Sequence, residues 1–139
     1  MWTRTHSKTV KGLKVERVWQ VWTDVNHWHT WQPGLERAQI DGAFVEGNTF
    51  TLKPKGGPTV NIEILKAEPN RHFTDLTRFP GARMYGSHEF VVRGDEMDIR
   101  TTMSIKGPLA FVWRKIVAEG VARDMAEQTE KLIEKAAHG

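Results

Sequence analysis

Residues 83–105, RMYGSHEFVVRGDEMDIRTTMSI, consist of two apolar-rich segments joined by Gly94-Asp95, a dipeptide suited to a tight β-turn. A two-residue loop fixes the register of the two strands and therefore determines which side chains share a face. One face then receives the pairs Met84–Ile105, Gly86–Met103, His88–Thr101, Phe90–Ile99 and Val92–Met97. The opposite face receives pairs of opposite charge, Arg93–Glu96 and Glu89–Arg100. The segment predicts a β-hairpin with one apolar and one polar face.

Further strands are predicted on both sides of this hairpin. The chain alternates segments rich in β-branched and apolar residues with turn sequences rich in glycine, proline and asparagine. With the hairpin included, the predicted strands are 2–10, 35–41, 48–53, 59–67, 72–79, 83–93 and 96–105. Together they predict an antiparallel sheet with one buried face.

Two other hairpins differ in how well the sequence defines their register. A hairpin around Gly56-Gly57 also has one apolar face if Leu52 lies opposite Val60 and Phe50 lies opposite Ile62. The turn at Pro80-Gly81 leaves two possibilities for strand 72–79. Either Phe73 and Asp75 face inward, or Thr74 and Leu76 do.

Helices are predicted after the first strand and at the end of the chain. Residues from Val15 to Val25 follow the i, i+3, i+4, i+7 spacing of an amphipathic helix, and a second short helix or turn carries Trp28 and Trp31. A long helix is predicted from Pro108, at its first position, to about Ala136. Its predicted apolar stripe consists of Leu109, Trp113, Ile116, Val117, Val121, Met125, Leu132 and Ile133.

Length and composition limit the class of protein. The chain has 139 residues, a formal charge of +3 and no cysteine, which suits one domain over 1–139 and excludes a disulfide framework and a thiol nucleophile. Its first residues lack a signal-peptide apolar segment, and no apolar run reaches the length of a membrane span. We therefore expect a cytoplasmic protein. Basic residues are dispersed, so no nucleic-acid partner is expected despite a pI near 9.3.

This order of elements resembles the START-like, or SRPBCC helix-grip, superfamily and, within it, the polyketide cyclase/dehydrase-like branch. The matching pieces include Val18-Trp19, Trp22-Thr23-Asp24-Val25, Trp31-Gln32-Pro33, Phe79-Pro80-Gly81-Ala82, His88 and Gly107-Pro108-Leu109-Ala110. The resemblance implies an α+β, Bet v 1-like fold in which a curved antiparallel sheet of six to seven strands wraps around the long C-terminal helix. It also implies a deep cavity between sheet and helix, which relatives use for lipids, sterols, polyketides and other apolar molecules.

Ligand-binding residues are predicted from the face that each side chain takes. The expected wall consists of Phe50, Ile62, Met84, Phe90, Met103, Trp113, Val117 and Val121, with His88 and Thr101 as polar groups. Trp28 and Trp31 either rim the mouth or pack in the core, whereas Trp19 and Trp22 are expected to pack.

His88 is the candidate catalytic residue. An imidazole in an apolar cavity can act as general acid or base, or can orient a ligand carbonyl or hydroxyl. The favoured alternative is a structural histidine that is hydrogen-bonded to Thr101 or to a buried water. Asp75 is the candidate to orient the ring if its strand turns it inward.

Other motifs are weaker. Residues two apart on a helix point to nearly opposite sides, so His27 and His29 do not form a metal site. His88-Glu89 lacks the second histidine of the zinc-protease motif, because Val92 occupies that position. We expect no metal and no cofactor.

Two functions follow from this reading. The preferred one is binding of a small hydrophobic or amphipathic ligand, such as a lipid or polyketide, in the internal cavity. The alternative is a polyketide cyclase/dehydratase-like enzyme that uses His88 as acid or base. A weak homodimer is left open, and a protein-binding module would require an exposed apolar patch outside the cavity.

Overall fold

Alternating apolar and polar side chains build seven antiparallel strands that form one curved sheet. The computed structural model describes residues 1–138. The strands are β1 (Trp2–Lys11), β2 (Leu35–Ile40), β3 (Thr49–Pro54), β4 (Val60–Glu68), β5 (His72–Phe79), β6 (Ala82–Arg93) and β7 (Glu96–Lys106). Their order in the sheet is β1-β7-β6-β5-β4-β3-β2, so every strand from β2 to β7 pairs with its neighbour in the chain. The predicted fold class is confirmed.

Helical segments cover the inner face of this sheet. Helix α1 (Val15–Thr23) and a 3₁₀ helix (Val25–Thr30) follow β1, and the C-terminal region consists of α2 (Ala110–Trp113), a π-helical turn (Arg114–Ala118) and α3 (Glu119–His138). No helix within residues 1–138 combines the length and the apolar character needed to cross a membrane.

The C-terminal helix differs from its prediction in two respects. It begins later, because the amide of Leu109 donates to the carbonyl of Gly81 (2.8 Å) and the first helical hydrogen bonds accept at Leu109, which leaves Pro108 outside. The π turn also interrupts the α-helical period. A wider turn holds an extra residue and rotates the residues before it relative to those after it. As a result Ile116, predicted to lie on the apolar stripe, is 65% exposed.

The registers of the hairpins agree with the sequence. All five apolar pairs predicted across Gly94-Asp95 are formed, and Phe50 lies opposite Ile62. Val92 is nevertheless 52% exposed. The pairing of β5 with β6 extends only as far as His72 opposite Glu89, and β6 continues beyond this pair.

The inner face of β5 carries Phe73 and Asp75, the first of the two possibilities that the sequence left. Phe73 lies opposite His88 and Asp75 lies opposite Gly86, so these two β5 side chains share the inner face with the imidazole. Leu76 points to the other face, although it is buried as well.

The core consists of two clusters. The larger joins α1 and the 3₁₀ helix to the central strands, and in it Trp19 packs edge-to-face against Phe73 and Phe90 at ring-centroid distances of 6.1 and 6.2 Å. The smaller cluster lies around Met103 and Met125, beneath the first turns of α3. Residues of both clusters line a common cavity, which therefore lies between them.

Candidate ligand-binding cavity

A cavity of about 520 Å³ lies between the inner face of the sheet, the 3₁₀ helix and α3. This volume falls within the range of small-molecule binding sites. Its wall on the 3₁₀-helix side is aromatic, and its opposite wall contains the methionines Met84, Met103 and Met125. Val121, on α3, also borders the cavity and is 42% exposed. The space is therefore reachable from solvent beside α3.

The aromatic wall follows from the geometry of the 3₁₀ helix. With three residues per turn, side chains three apart lie on the same face, and Val25, Trp28 and Trp31 are all buried. Trp22 comes from α1, and its ring centroid lies 5.2 Å from those of both Trp28 and Trp31. The indole Nε1 of Trp28 donates to the carbonyl of Trp22 (3.0 Å). Phe50 completes the wall, with its centroid 5.3 Å from that of Trp28.

The polar wall is formed where β5, β6 and β7 are adjacent. His88 pairs with Phe73 on one side and with Thr101 on the other, and Nε2 of His88 lies 3.6 Å from Oδ2 of Asp75. This separation is longer than a hydrogen bond but close enough for electrostatic attraction when the imidazole is protonated. Gly86 leaves room for the carboxylate, because a Cβ there would lie 2.8 Å from Oδ1 of Asp75.

The imidazole of His88 is enclosed by aromatic rings. Phe73 stacks on it at a centroid distance of 4.4 Å, and Trp22 meets it edge-on at 4.8 Å. The residue is only 8% exposed, and Nδ1 has no hydrogen-bond partner within residues 1–138. Within these residues no hydrogen bond joins the imidazole to Thr101, and Asp75 is the carboxylate beside the ring. A histidine beside a carboxylate in such a wall can hold a proton and deliver it to a bound molecule.

Most of the residues predicted to bind a ligand do line the cavity. They are Trp28, Trp31, Phe50, Ile62, Met84, His88, Thr101, Met103 and Val121. Their contact with a ligand remains a prediction.

Three predicted wall residues lie elsewhere. Phe90 packs beneath α1 against Trp19. Trp113 stacks on Phe79 at a centroid distance of 4.6 Å and donates from Nε1 to the carbonyl of Pro80 (2.8 Å). Val117 belongs to the π turn, which rotates it away from the cavity. For the last two, the physical reason is the change of helical period that the π turn introduces.

The cavity also contains residues that the sequence analysis missed. Helical spacing predicts only packing for Trp22, yet its side chain lines the cavity. Thr77 lines it as well, since it lies two residues after Asp75 on the same face of β5. On α3, a polar stripe borders the opening at i, i+3, i+4 and i+7, and it consists of Asp124, Glu127, Gln128 and Lys131. This helical spacing was the signal available in the sequence. Nε2 of Gln128 donates to Oε1 of Gln32 (3.1 Å) and links α3 to the segment after the 3₁₀ helix.

The histidine pair on the 3₁₀ helix has an ordinary surface role. Nδ1 of His27 lies 2.9 Å from the carboxylate oxygens of Asp24, and both side chains are exposed. In the described part of the chain, no group of three or more histidine, aspartate or glutamate side chains is arranged to hold a metal ion.

A curved antiparallel sheet that grips a C-terminal helix around an internal cavity defines a helix-grip protein of the START-like class. The sequence agrees, since the model of the family described as polyketide cyclase / dehydrase and lipid transport matches residues 1–137. The chain belongs to this family. A comparison with curated proteins gave no match.

Solved structures of the same fold include enzymes. The chain is similar to the Zhui aromatase/cyclase from Streptomyces sp. R1128, with a TM-score of 0.75 and 16% identity over 98% of this chain and 94% of that one. Norcoclaurine synthase from Thalictrum flavum gives a TM-score of 0.73 and 14% identity over 98% and 86% of the two chains. A hypothetical protein from Helicobacter pylori gives 0.77 and 16% over 96% and 87%. At these identities the likeness shows the fold.

Proposed function

We propose that this protein binds a small hydrophobic or amphipathic molecule inside the cavity between sheet and α3. The observation that carries the proposal is the cavity itself, about 520 Å³ and lined by aromatic rings together with a histidine–carboxylate pair. Burial of ligand carbon against such a wall contributes roughly 25 cal/mol per Å² of apolar surface. A few polar groups then select the orientation of the ligand.

The relatives support a small organic ligand. The family description names both polyketide cyclisation and lipid transport. Norcoclaurine synthase, which has the same fold, has been solved in complex with dopamine and hydroxybenzaldehyde.

The proposal can be tested by closing the opening. The neutral dye Nile red serves as a fluorescent probe of the cavity, and native mass spectrometry of the purified protein reveals any co-purified ligand. Val121→Trp introduces a large ring at the opening, and we expect it to weaken dye binding about tenfold or more by occluding the cavity. Ile116→Trp is the matched control, because Ile116 is exposed and lies outside the cavity wall. Absence of both a retained ligand and dye binding in the wild-type protein would refute the proposal.

A second function, proton-transfer catalysis, is favoured by the position of His88 beside Asp75. In such an enzyme the cavity folds a reactive polycarbonyl compound, and the imidazole moves a proton to or from carbon or oxygen. We expect His88→Gln, which keeps a polar side chain between Trp22 and Phe73, to reduce cyclisation of a synthetic tetraketide thioester about 100-fold or more. Product formation is followed by NMR. Cyclisation at the wild-type rate in the variant would exclude His88 as the base.

A further inference from the structure

The charges around the cavity are opposite in sign to those of the whole protein. The chain carries a formal charge of +3. Among the residues lining the cavity, however, three carboxylates (Asp75, Asp124 and Glu127) accompany a single ammonium group, that of Lys131, which gives a formal charge of −2 with His88 neutral. Walls of one sign in a cleft concentrate counter-ions of the other sign there.

Asp75 is the carboxylate that lies deepest. Its side chain is only 18% exposed, and within residues 1–138 the one ionisable group paired with it is the imidazole of His88, whose Nε2 lies 3.6 Å from Oδ2. A largely buried carboxylate is stabilised when a cation or a hydrogen-bond donor completes its surroundings. The cavity beside it provides the space for such a group.

The neighbouring imidazole leaves this carboxylate free to accept. Nε2 of His88 lies 3.6 Å from Oδ2 of Asp75, which is longer than a hydrogen bond. The oxygens of Asp75 therefore keep acceptor capacity for a ligand that donates hydrogen bonds.

The aromatic side chains suit the apolar part of such a ligand. Trp22, Trp28, Trp31 and Phe50 line the cavity, and Trp22 lies beside His88 with ring centroids 4.8 Å apart. Large aromatic rings offer much apolar surface against which ligand carbon can be buried. Carboxylates and aromatic rings thus favour a ligand that joins a cationic group to an apolar body.

We propose that the ligand of this cavity is a hydrophobic amine, bound as its ammonium ion next to Asp75 with its apolar body against the tryptophan wall. The inference rests on the proposed function, since it names the ligand class of the same cavity. Asp124 and Glu127 at the opening attract the cation during entry, and Asp75 holds it once bound.

Three compounds that share one ring system test the sign of the preferred charge. They are 2-(2-naphthyl)ethylamine, 2-(2-naphthyl)ethanol and 2-naphthylacetate, and their Kd values are measured by isothermal titration calorimetry at neutral pH. We expect the amine to bind about tenfold more tightly than the alcohol, and the carboxylate to bind more weakly than both.

Variants separate the two roles of the carboxylates. Asp75→Asn is expected to weaken binding of the amine by a much larger factor than binding of the alcohol, so that most of the advantage of the amine is lost. The double variant Asp124→Asn/Glu127→Gln changes exposed helix positions, so folding is retained, and we expect it to slow association of the amine and reduce its dependence on salt. Glu134→Gln is the control, because it removes one carboxylate from an exposed position of α3 outside the cavity and should leave every Kd unchanged.

The possible outcomes separate a failure of the amine preference from a failure of ligand binding in the cavity. If the alcohol or the carboxylate binds as tightly as the amine, the amine preference is wrong and the binding function stands. If the amine is preferred and both carboxylate variants keep that preference, the assignment to these residues is overturned. If none of the three compounds binds, the inference fails, and the result also counts against the proposed function.

Discussion

At the scale of single residues, the polar wall depends on the absence of a side chain at position 86. The carboxylate of Asp75 occupies the space above Gly86, where a Cβ would lie 2.8 Å from Oδ1 and 3.2 Å from Oδ2. Contacts this short force atoms to move. The position of Asp75 relative to His88 is therefore linked to the residue on the adjacent strand.

We predict that Gly86→Ala lowers the free energy of unfolding by about 1–3 kcal/mol, because the new methyl group pushes the Asp75 carboxylate out of place. Urea denaturation measures the change. In an Asp75→Ala background the carboxylate is gone, so the same Gly86→Ala substitution should cost much less. Equal costs in the two backgrounds would show that the two side chains do not compete for this space.

The face of β5 on which Asp75 lies is a detail of the site that could not be predicted from the sequence. Phe73 and Leu76 are both buried although they lie on opposite faces of β5, so the alternation of apolar residues could not choose the inner face. On β6 the two-residue turn settled the question, and the position of His88 was predicted correctly.

At the scale of elements, the start of the C-terminal helical region is attached to the turn between β5 and β6. Gly107 has φ +122, and a Cβ there would lie 2.6 Å from the carbonyl oxygen of Gly81. The amide of Leu109 donates to that same oxygen. Only glycine combines this backbone conformation with so close an approach.

We predict that Gly107→Ala destabilises the protein by about 2–3 kcal/mol, since it combines an unfavourable φ with a clash against the backbone. Thermal unfolding followed by circular dichroism measures the effect. Gly34→Ala is the comparison, because within residues 1–138, apart from the two chain neighbours, no atom lies within 4 Å of the added Cβ and φ is not positive there. A loss no larger at Gly107 than at Gly34 would contradict this role of the junction.

In the C-terminal helical region, hydrophobic periodicity predicts the buried residues of α3 correctly but not those that precede it. Leu132 and Met125 follow the apolar stripe as predicted, but Trp113 and Val117 do not reach the cavity. A pattern with a constant period of 3.6 residues cannot detect a π turn, which changes the phase without changing composition. The polar stripe at Asp124 and Glu127 borders the cavity, and the sequence alone does not mark where a cavity opens.

At the scale of the whole molecule, the resemblance predicted the architecture but not the ligand. Element order, turn chemistry and hairpin registers all agree with the sheet and helices that are observed. A cavity is the space that packing leaves, and its volume and charge depend on residues from distant parts of the chain, such as Trp22 and Lys131. The ligand class therefore had to be inferred from the structure.

The stability of the whole sheet also depends on pH through the carboxylates of its outer face. Asp98, on β7, accepts hydrogen bonds from Thr9 of β1 (2.7 Å, to Oδ1) and from Arg93 of β6 (3.0 Å, from Nη2 to Oδ1), and so joins three strands. The hydrogen bonds from Arg93 and then Thr9 lower the pKa of Asp98 to about 2. A carboxyl group with a pKa below its unfolded value of about 3.9 stabilises the folded state above that value.

We predict that the contribution of Asp98 is complete above about pH 4 and is lost as the pH falls towards about 2, because protonation weakens the bonds that join the strands. Asp98→Asn should therefore lower stability at neutral pH and make the remaining stability fall less steeply between about pH 4 and pH 2. Urea denaturation at a series of pH values measures both effects.

Asp95→Asn, in the adjacent turn and without an ion pair in residues 1–138, should keep the wild-type slope. An unchanged slope in Asp98→Asn would mean that this carboxylate does not carry the acid sensitivity of the sheet.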